Sequence, residues 1–256
     1  MAAQHWDAVA VAGLNREYAE ASPQGLLAWA VAQNIQFGLA SSFGAEDMVL
    51  ADMLARVKPN GTVLMLDTLR LHTETYGVVD ATRARYPQLD LRVYYPDMAA
   101  LDSFVSTQGY NAFYQSMDNR KACCGVRKVE PLERALAGLD AWVTGMRRDQ
   151  GTTRNDIAHF EIDDVHGGML KLNPLAAWSS DQVWDYIRTN DVPYNPLHDV
   201  GFPSIGCAPC TRAVATGEDP RAGRWWWELD PDAKECGIHI GYDAAGNAVV
   251  QRIAKA

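Results

Sequence analysis

The sequence predicts an α/β protein: a mostly parallel, twisted sheet with helices on both faces. Short β-rich apolar runs alternate with runs of helical spacing between residues 35 and 146, the order that parallel sheets require. The chain has 256 residues, 48% of them hydrophobic, enough for one large domain with a substantial core. Caps and turns fall where one element must stop and the next begin.

The first 35 residues read as helical. Val9, Leu14 and Tyr18, then Leu26, Leu27, Ala30 and Val31, recur at helical spacing, with Ser22-Pro23 as break and helix start. "IQFGLAS" (35–41) is a strand run leading into Ser41, Ser42 and Gly44, and "AEDMVLADMLARV" (45–57) is an amphipathic helix. Asn60-Gly61 makes a turn before the buried strand "TVLMLDT" (62–68). "ETYGVVDATRARY" (74–86) is a helix, "DLRVYY" (90–95) a strand, and "AWVTGM" (141–146) a further strand, after a helix that begins near Cys123. Beyond residue 150 the pattern loosens. "SSDQVWDYIRTN" (179–190) is a helix capped by Ser179 or Ser180. A Pro- and Gly-rich loop then carries Cys207 and Cys210, and the polar tail has little helical or strand periodicity. The reading is one α/β domain over 1–225 and a mobile tail over 226–256. In such sheets ligands sit at the carboxyl ends of the strands.

Lys+Arg 23 against Asp+Glu 32 gives a net charge of −9. That argues against nucleic acid or an anionic membrane as partner, while leaving room for a local basic pocket. No stretch approaches the roughly 18 apolar residues of a membrane helix. The amino terminus has no basic start followed by a long apolar core, so no signal peptide is expected. A soluble, cytoplasmic protein follows as the expectation, and there thiols stay reduced. Five cysteines then suggest metal or redox chemistry more than disulfide staples.

Cys123 and Cys124 are neighbours in "KACCGVRKVEPLERAL" (121–136). A disulfide between neighbours is strained, and adjacent thiols are an uncommon grip on one zinc ion. Cys207-Ala-Pro-Cys210 is a C-x-x-C motif, but it lies late, in a loop, unlike the thioredoxin motif that opens an early helix. A multi-iron cluster accommodates adjacent thiolates, because they can bind different irons. Buried cysteines without a ligand are the plain alternative.

"KACCGVRKVEPLERAL", "YNPLHDVGFPSIGCAPCTR" and "KECGIH" together resemble the bacterial assimilatory adenylyl-sulfate (APS) reductases, from about Phe37 to Gly241. The resemblance implies a fold related to the N-type ATP pyrophosphatases (adenine-nucleotide alpha-hydrolase-like) and a 4Fe–4S cluster on Cys123, Cys124, Cys207 and Cys210. Relatives lacking the cysteine pairs resemble 3′-phosphoadenylyl-sulfate (PAPS) reductases, which carry no cluster, so APS is the favoured substrate. The family places its catalytic cysteine at Cys236, in a motif ending in His239. Lys234 and His239 favour a thiolate there, Glu235 opposes it, and Gly237 and Gly241 supply hinge freedom.

The implied chemistry is attack by Cys236 on the sulfur of APS, expelling AMP and leaving S-sulfocysteine. Thioredoxin, a separate partner, then releases sulfite. Thiolate, sulfate and phosphate are brought together, so positive charge is required. Three cationic clusters qualify: Arg127 and Lys128, the latter placed by resemblance between cluster and substrate; Arg147, Arg148 and Arg154, just after the 141–146 strand with Gly145; and Arg221 and Arg224, similar to the family's sulfate- and phosphate-binding pair. Taken singly, each reads first as a solvated surface charge; placement at strand ends and beside the cysteines favours a site. Ser41, Ser42 and Gly44 resemble the superfamily's phosphate loop at a strand-to-helix turn, in Ser-Ser-Phe-Gly rather than Ser-Phe-Ser-Gly order. Leu66 and Asp67 resemble the segment near the adenosine, with Leu69 where glycine is frequent. Trp225-Trp226-Trp227 reads as packing for the tail. The cluster is expected to act structurally and electrostatically, not as an electron shuttle. A PAPS or dual-substrate reductase and a non-catalytic metal-bound scaffold are the rival readings. The oligomeric state is not readable, and a homo-oligomer stays open.

Overall fold

The computed structural model describes residues 6–151, 154–228, 240–242 and 248–250. Eight helices and eight strands occur among them, besides shorter turns. The order is α1 (Ala8–Glu17), α2 (Pro23–Ala32), β1 (Phe37–Ser41), α3 (Ala45–Val57), β2 (Thr62–Leu66), α4 (Thr73–Arg85), β3 (Asp90–Tyr94) and α5 (Met98–Gln108). It continues with α6 (Met117–Cys124), α7 (Glu130–Leu136), β4 (Ala141–Val143), β5 (Phe160–Asp163), β6 (Met169–Leu172), α8 (Ser180–Thr189), β7 (Ile240–Tyr242) and β8 (Ala248–Val250).

The main sheet has the order β3-β2-β1-β4-β6-β5. β1 runs parallel to β2 and β4, and β4 parallel to β6, while β5 is antiparallel to β6. The mostly parallel sheet expected from the βαβα alternation is therefore present. The chain steps from β1 outward to β2 and β3 and then returns to β4 on the other side, so a switch point lies between β1 and β4, where ligands of such sheets bind.

Local chemistry explains the element ends. Ser22 caps α2 by accepting from the Gly25 N–H at 3.1 Å, with Pro23 in the first turn. Ser179, not Ser180, caps α8, in a reciprocal box with Gln182. The apolar spacing of α3 buries nearly its whole length. Its one mid-helix carboxylate, Asp52, is tied to Tyr86 at 3.0 Å, to Tyr186 at 2.7 Å and to Arg56 at 2.9 Å, which makes its burial tolerable.

Three expectations are corrected. The helix expected to begin near Cys123 starts at Met117, capped by Ser116, and the double cysteine forms its end. It runs through a π-helical turn, Gly125–Val129, into α7. The loose pattern after residue 150 conceals β5 and β6. In the tail, β7 and β8 pair as an antiparallel hairpin where no strand is expected.

The chain divides into two compact units. A sheet unit comprises Met1–Met65, Thr73–Arg92 and Gly138–Leu197, and a cysteine unit comprises Leu66–His72, Val93–Ala137 and His198–Ala256. No helix among the described residues is long and apolar enough to cross a membrane.

Candidate active site

In the sheet unit, β1 ends at Ser41 and α3 starts behind Gly44, which caps it without a side chain. Between them Phe43 adopts φ +60° and is buried, and its N–H donates to Ser41 Oγ at 3.1 Å. Ser42 is exposed, yet its N–H and Oγ both donate to Asp47 Oδ2, at 2.6 and 2.8 Å. Burial lifts the Asp47 carboxyl to about 6, against the opposing pull of the Ser42 hydrogen bonds. Gly145, just beyond β4, packs so close that a Cβ there would lie 2.5 Å from Asp47 Oδ1. Only glycine lets that strand end reach the helix start.

Arg147, expected at the substrate, commits its guanidinium internally. Nε and Nη2 donate to Glu46 Oε1 at 3.0 and 2.7 Å, and Nη1 to Asp149 and the Trp178 carbonyl. Gln150 links Glu46 to the Gly145 carbonyl and accepts from Arg154, itself buried. Ser41, Ser42, Gly44, Gly145, Arg147 and Arg154 thus belong to one neighbourhood, together with Glu46, Asp47 and Gln150. Sequence reasoning missed the last three. Two acids in the first turn of a helix behind a phosphate-type loop are the signal that could have found the carboxylates.

In the cysteine unit, Cys123, Cys124, Cys207 and Cys210 line one cavity of about 420 Å³ including its mouth. None of the four is in a disulfide. Arg70, Arg120, Arg127, Lys128 and Arg224 line the same cavity with Phe113, Pro209 and Trp225. α6 and the following π-helical turn carry the first pair. The second is held by backbone bonds: Ala208 N–H donates to the Arg70 carbonyl at 2.7 Å, and Leu71 bridges Cys207. Thr68 Oγ1 and Cys207 Sγ share a hydrogen bond at 3.2 Å. Arg127 Nη1 donates to the Thr68 carbonyl at 2.6 Å.

Cys124 and Cys207 are buried, and Cys123 and Cys210 partly so. Burial pushes the Cys210 thiol up to about 12, with Cys207 adding and Lys128 and Arg224 opposing. Cys123 is also raised by burial, against the pull of Arg127. Among the described residues, no three His, Cys, Asp or Glu side chains are grouped to hold a single metal ion.

Arg224 is buried, with Nη1 donating weakly to Ser204 and Ile205 and Nε without a hydrogen-bond partner. Its guanidinium packs over the Trp225 indole, as does that of Arg120, each guanidinium carbon 4.7 Å from the ring centroid. Arg120 pairs with Glu228 at 2.6 Å, both buried. Gly206 admits Arg224: a Cβ there would sit 2.3 Å from its Nη2. Arg221 is half-buried and outside the set lining the cavity. Trp225 is core, as expected of packing, whereas Trp226 is partly exposed beside Trp227 and Tyr114. Asp67 is buried and its Oδ1 accepts from the Leu69 N–H at 2.8 Å, while Leu69 takes φ +58°, the conformation that makes glycine frequent at such a position. Leu66 closes β2. Cys236 and His239 lie outside the described residues.

This geometry, a mostly parallel sheet with a strand-to-helix turn at its switch point, places the chain in the α/β class. The FMN adenylyltransferase of Candida glabrata shares the fold, at TM-score 0.54 and 14% identity over 90% of this chain and 80% of that one. Residues 36–213 match the phosphoadenosine phosphosulfate reductase domain family. The adenosine 5′-phosphosulfate reductase of Burkholderia cepacia is 52% identical over 202 residues, 78% of this chain and 79% of that protein. That of Pseudomonas aeruginosa strain LESB58 is 44% identical over 252 residues, 94% of this chain and 92% of that one. The crystal structure of phosphoadenylyl-sulfate (PAPS) reductase from Candida auris, a phosphate complex, superposes with TM-score 0.72 and 31% identity, covering 83% of this chain and 100% of that one. The chain belongs to the phosphoadenosine phosphosulfate reductase family.

Proposed function

We propose that the chain is a cytoplasmic adenylyl-sulfate reductase, converting APS to sulfite and AMP with electrons from thioredoxin, in sulfate assimilation and cysteine biosynthesis. The observation that carries the reading is the cavity lined by both cysteine pairs and by cations, in a chain of this family. The relatives called adenosine 5′-phosphosulfate reductase support APS as substrate. The Candida auris protein, called a PAPS reductase, favours PAPS as the second reading.

The donor set suits a 4Fe–4S cluster. Four thiols line one cavity, and thiolates are what iron–sulfur clusters take. Cys123, Cys124, Cys207 and Cys210 would hold it, losing their protons on binding, and Thr68 already hydrogen-bonds Cys207. When bound, the cluster supplies a fixed anchor for these segments and local charge, not electrons.

The reaction belongs to the chain's own residues. Ser41, Ser42 and Gly44 receive phosphate, with Gly145 and Arg154 behind them and Arg147 bracing the helix through Glu46. Leu66 and Asp67 serve the adenosine. Lys128, Arg221 and Arg224 neutralise the anions that meet as the reaction begins. The Cys236 thiolate attacks sulfur, the S–O bond to AMP breaks, and His239 assists. One thiol of thioredoxin then attacks Cys236 Sγ, sulfite leaves, and the second thiol frees Cys236.

Incubation with APS without reductant tests this. Mass spectrometry should find one sulfonate on Cys236; modification elsewhere, or none, overturns the mechanism. Turnover of APS and PAPS compared side by side decides the substrate.

A further inference from the structure

We propose that Asp47 is a positioning residue of the phosphate loop, which takes up a proton and releases Ser42 when the substrate's anion binds. The proposal rests on the reading that residues 41–44 receive phosphate.

The geometry is that of an internal competitor. An anion at a helix N-terminus is held by backbone N–H and hydroxyl donors. Here the Ser42 N–H and hydroxyl both point at one carboxylate oxygen, 2.6 and 2.8 Å away. Asp47 is 7% exposed, and its other oxygen abuts Gly145. The side chain therefore has little room to swing out of the loop while keeping its charge.

The charges around it do not relieve this. Glu46 is the neighbour on α3 and adds like charge. From the 145–154 segment, Arg147 is bound to Glu46 and Asp149, and Arg154 donates to Gln150. The 41–44 loop itself carries no ionisable side chain. Two oxyanions competing for the same donors, one of them a buried carboxylate, cannot both remain ionised. The incoming anion is permanently charged, so the carboxylate takes the proton. Burial has already raised Asp47 to about 6, which keeps that proton accessible near neutrality.

The sign follows. Free Asp47 is largely ionised above pH 6 and neutral in the complex, so affinity falls as pH rises, by roughly tenfold per pH unit at most.

The test uses the full chain carrying Cys236→Ser, which blocks sulfur transfer, and APS itself, which has no group titrating between about pH 5 and 9. Calorimetry at pH 7 in two buffers of different ionisation enthalpy should show uptake of close to one proton per APS bound. Affinity should fall at least tenfold from pH 6.5 to 8. With Asp47→Asn added, which keeps acceptors for Ser42, uptake should vanish and affinity become flat over that range. Binding by the parent without proton uptake, or uptake that persists in Asp47→Asn, overturns the proposal. If APS does not bind, or Ser41→Ala and Ser42→Ala leave its affinity unchanged, the phosphate-loop reading fails and the proposal goes with it.

Discussion

In the sheet unit, the residues assigned to phosphate stand where β1 and β4 end, and regular hydrogen bonding sets their positions. In the cysteine unit, the thiols come from a helix end that runs into a π-helical turn and from a short loop turn. Around the first site the polar side chains pair internally, Ser42 with Asp47 and Arg147 with Glu46, while His166 Nε2 elsewhere in that unit is buried without a hydrogen-bond partner. The second leaves buried polar atoms without hydrogen-bond partners, among them Nε of Arg127, Nε of Arg224 and Oε2 of Glu228. Buried orphan donors are costly and persist where the surroundings impose them or a ligand completes them. A regular scaffold can thus place a site with its own partners satisfied. An irregular one holds its groups by close backbone approach.

The sharpest break in that contrast is Cys207→Ala. It removes one thiol from the cavity and a partner of Thr68. The parent should be brown and contain iron, and the variant should lose both together with reductase activity; a colourless, iron-free parent would refute the contrast outright. Next is Arg120→Met. It strands the Glu228 carboxylate, whose pair is buried on both sides, and should cost roughly 3–5 kcal/mol in denaturant unfolding. A change under about 1 kcal/mol would mean that water reaches Glu228.

The paired glycines give smaller effects that compare the units directly. Gly206→Ala collides with Arg224, and Gly145→Ala with Asp47. Each should cost roughly 1–3 kcal/mol of stability. Gly206→Ala should also raise KM for APS by moving Arg224, and equal KM values in Gly206→Ala and the parent would separate Arg224 from the substrate. The smallest effect is expected at Leu69. Its left-handed backbone costs a non-glycine residue about 1–2 kcal/mol, offset by the entropy glycine loses on folding. Leu69→Gly should therefore raise Tm slightly, by less than about 1 kcal/mol equivalent; a clear loss would show that the Leu69 side chain, exposed though it is, does packing.

Legibility followed how local the cause is. α3 was read to its bounds because its apolar spacing and the strand before it are contiguous in sequence. β5 and β6 escaped because each has four residues and carries a buried polar group, Asp163 or Lys171, whose partners come from elsewhere: Trp142 and His166 for one, Glu161 for the other. The cysteine helix starts at Met117, ahead of the expected start near Cys123, because Ser116 caps a polar first turn that shows no apolar spacing, and Gly125 and Pro131 follow the double cysteine. The π-helical turn at Gly125–Val129 carries the helix through them, with Pro131 in the first turn of α7, where a missing N–H is tolerated.

By itself the sequence determined the order of strands and helices as far as β3, the position of the strand-to-helix turn at 41–44 and the family, since periodicity, caps and contiguous motifs are local properties of the chain, while α5 went unread. Only the tertiary structure decided that the two cysteine pairs share a cavity with five cations, that Arg147 serves Glu46, and that Ser42 is held by Asp47. Those facts depend on burial and on which donor reaches which acceptor. They arise only once distant segments are packed and water is removed, when each buried charge must find its partner.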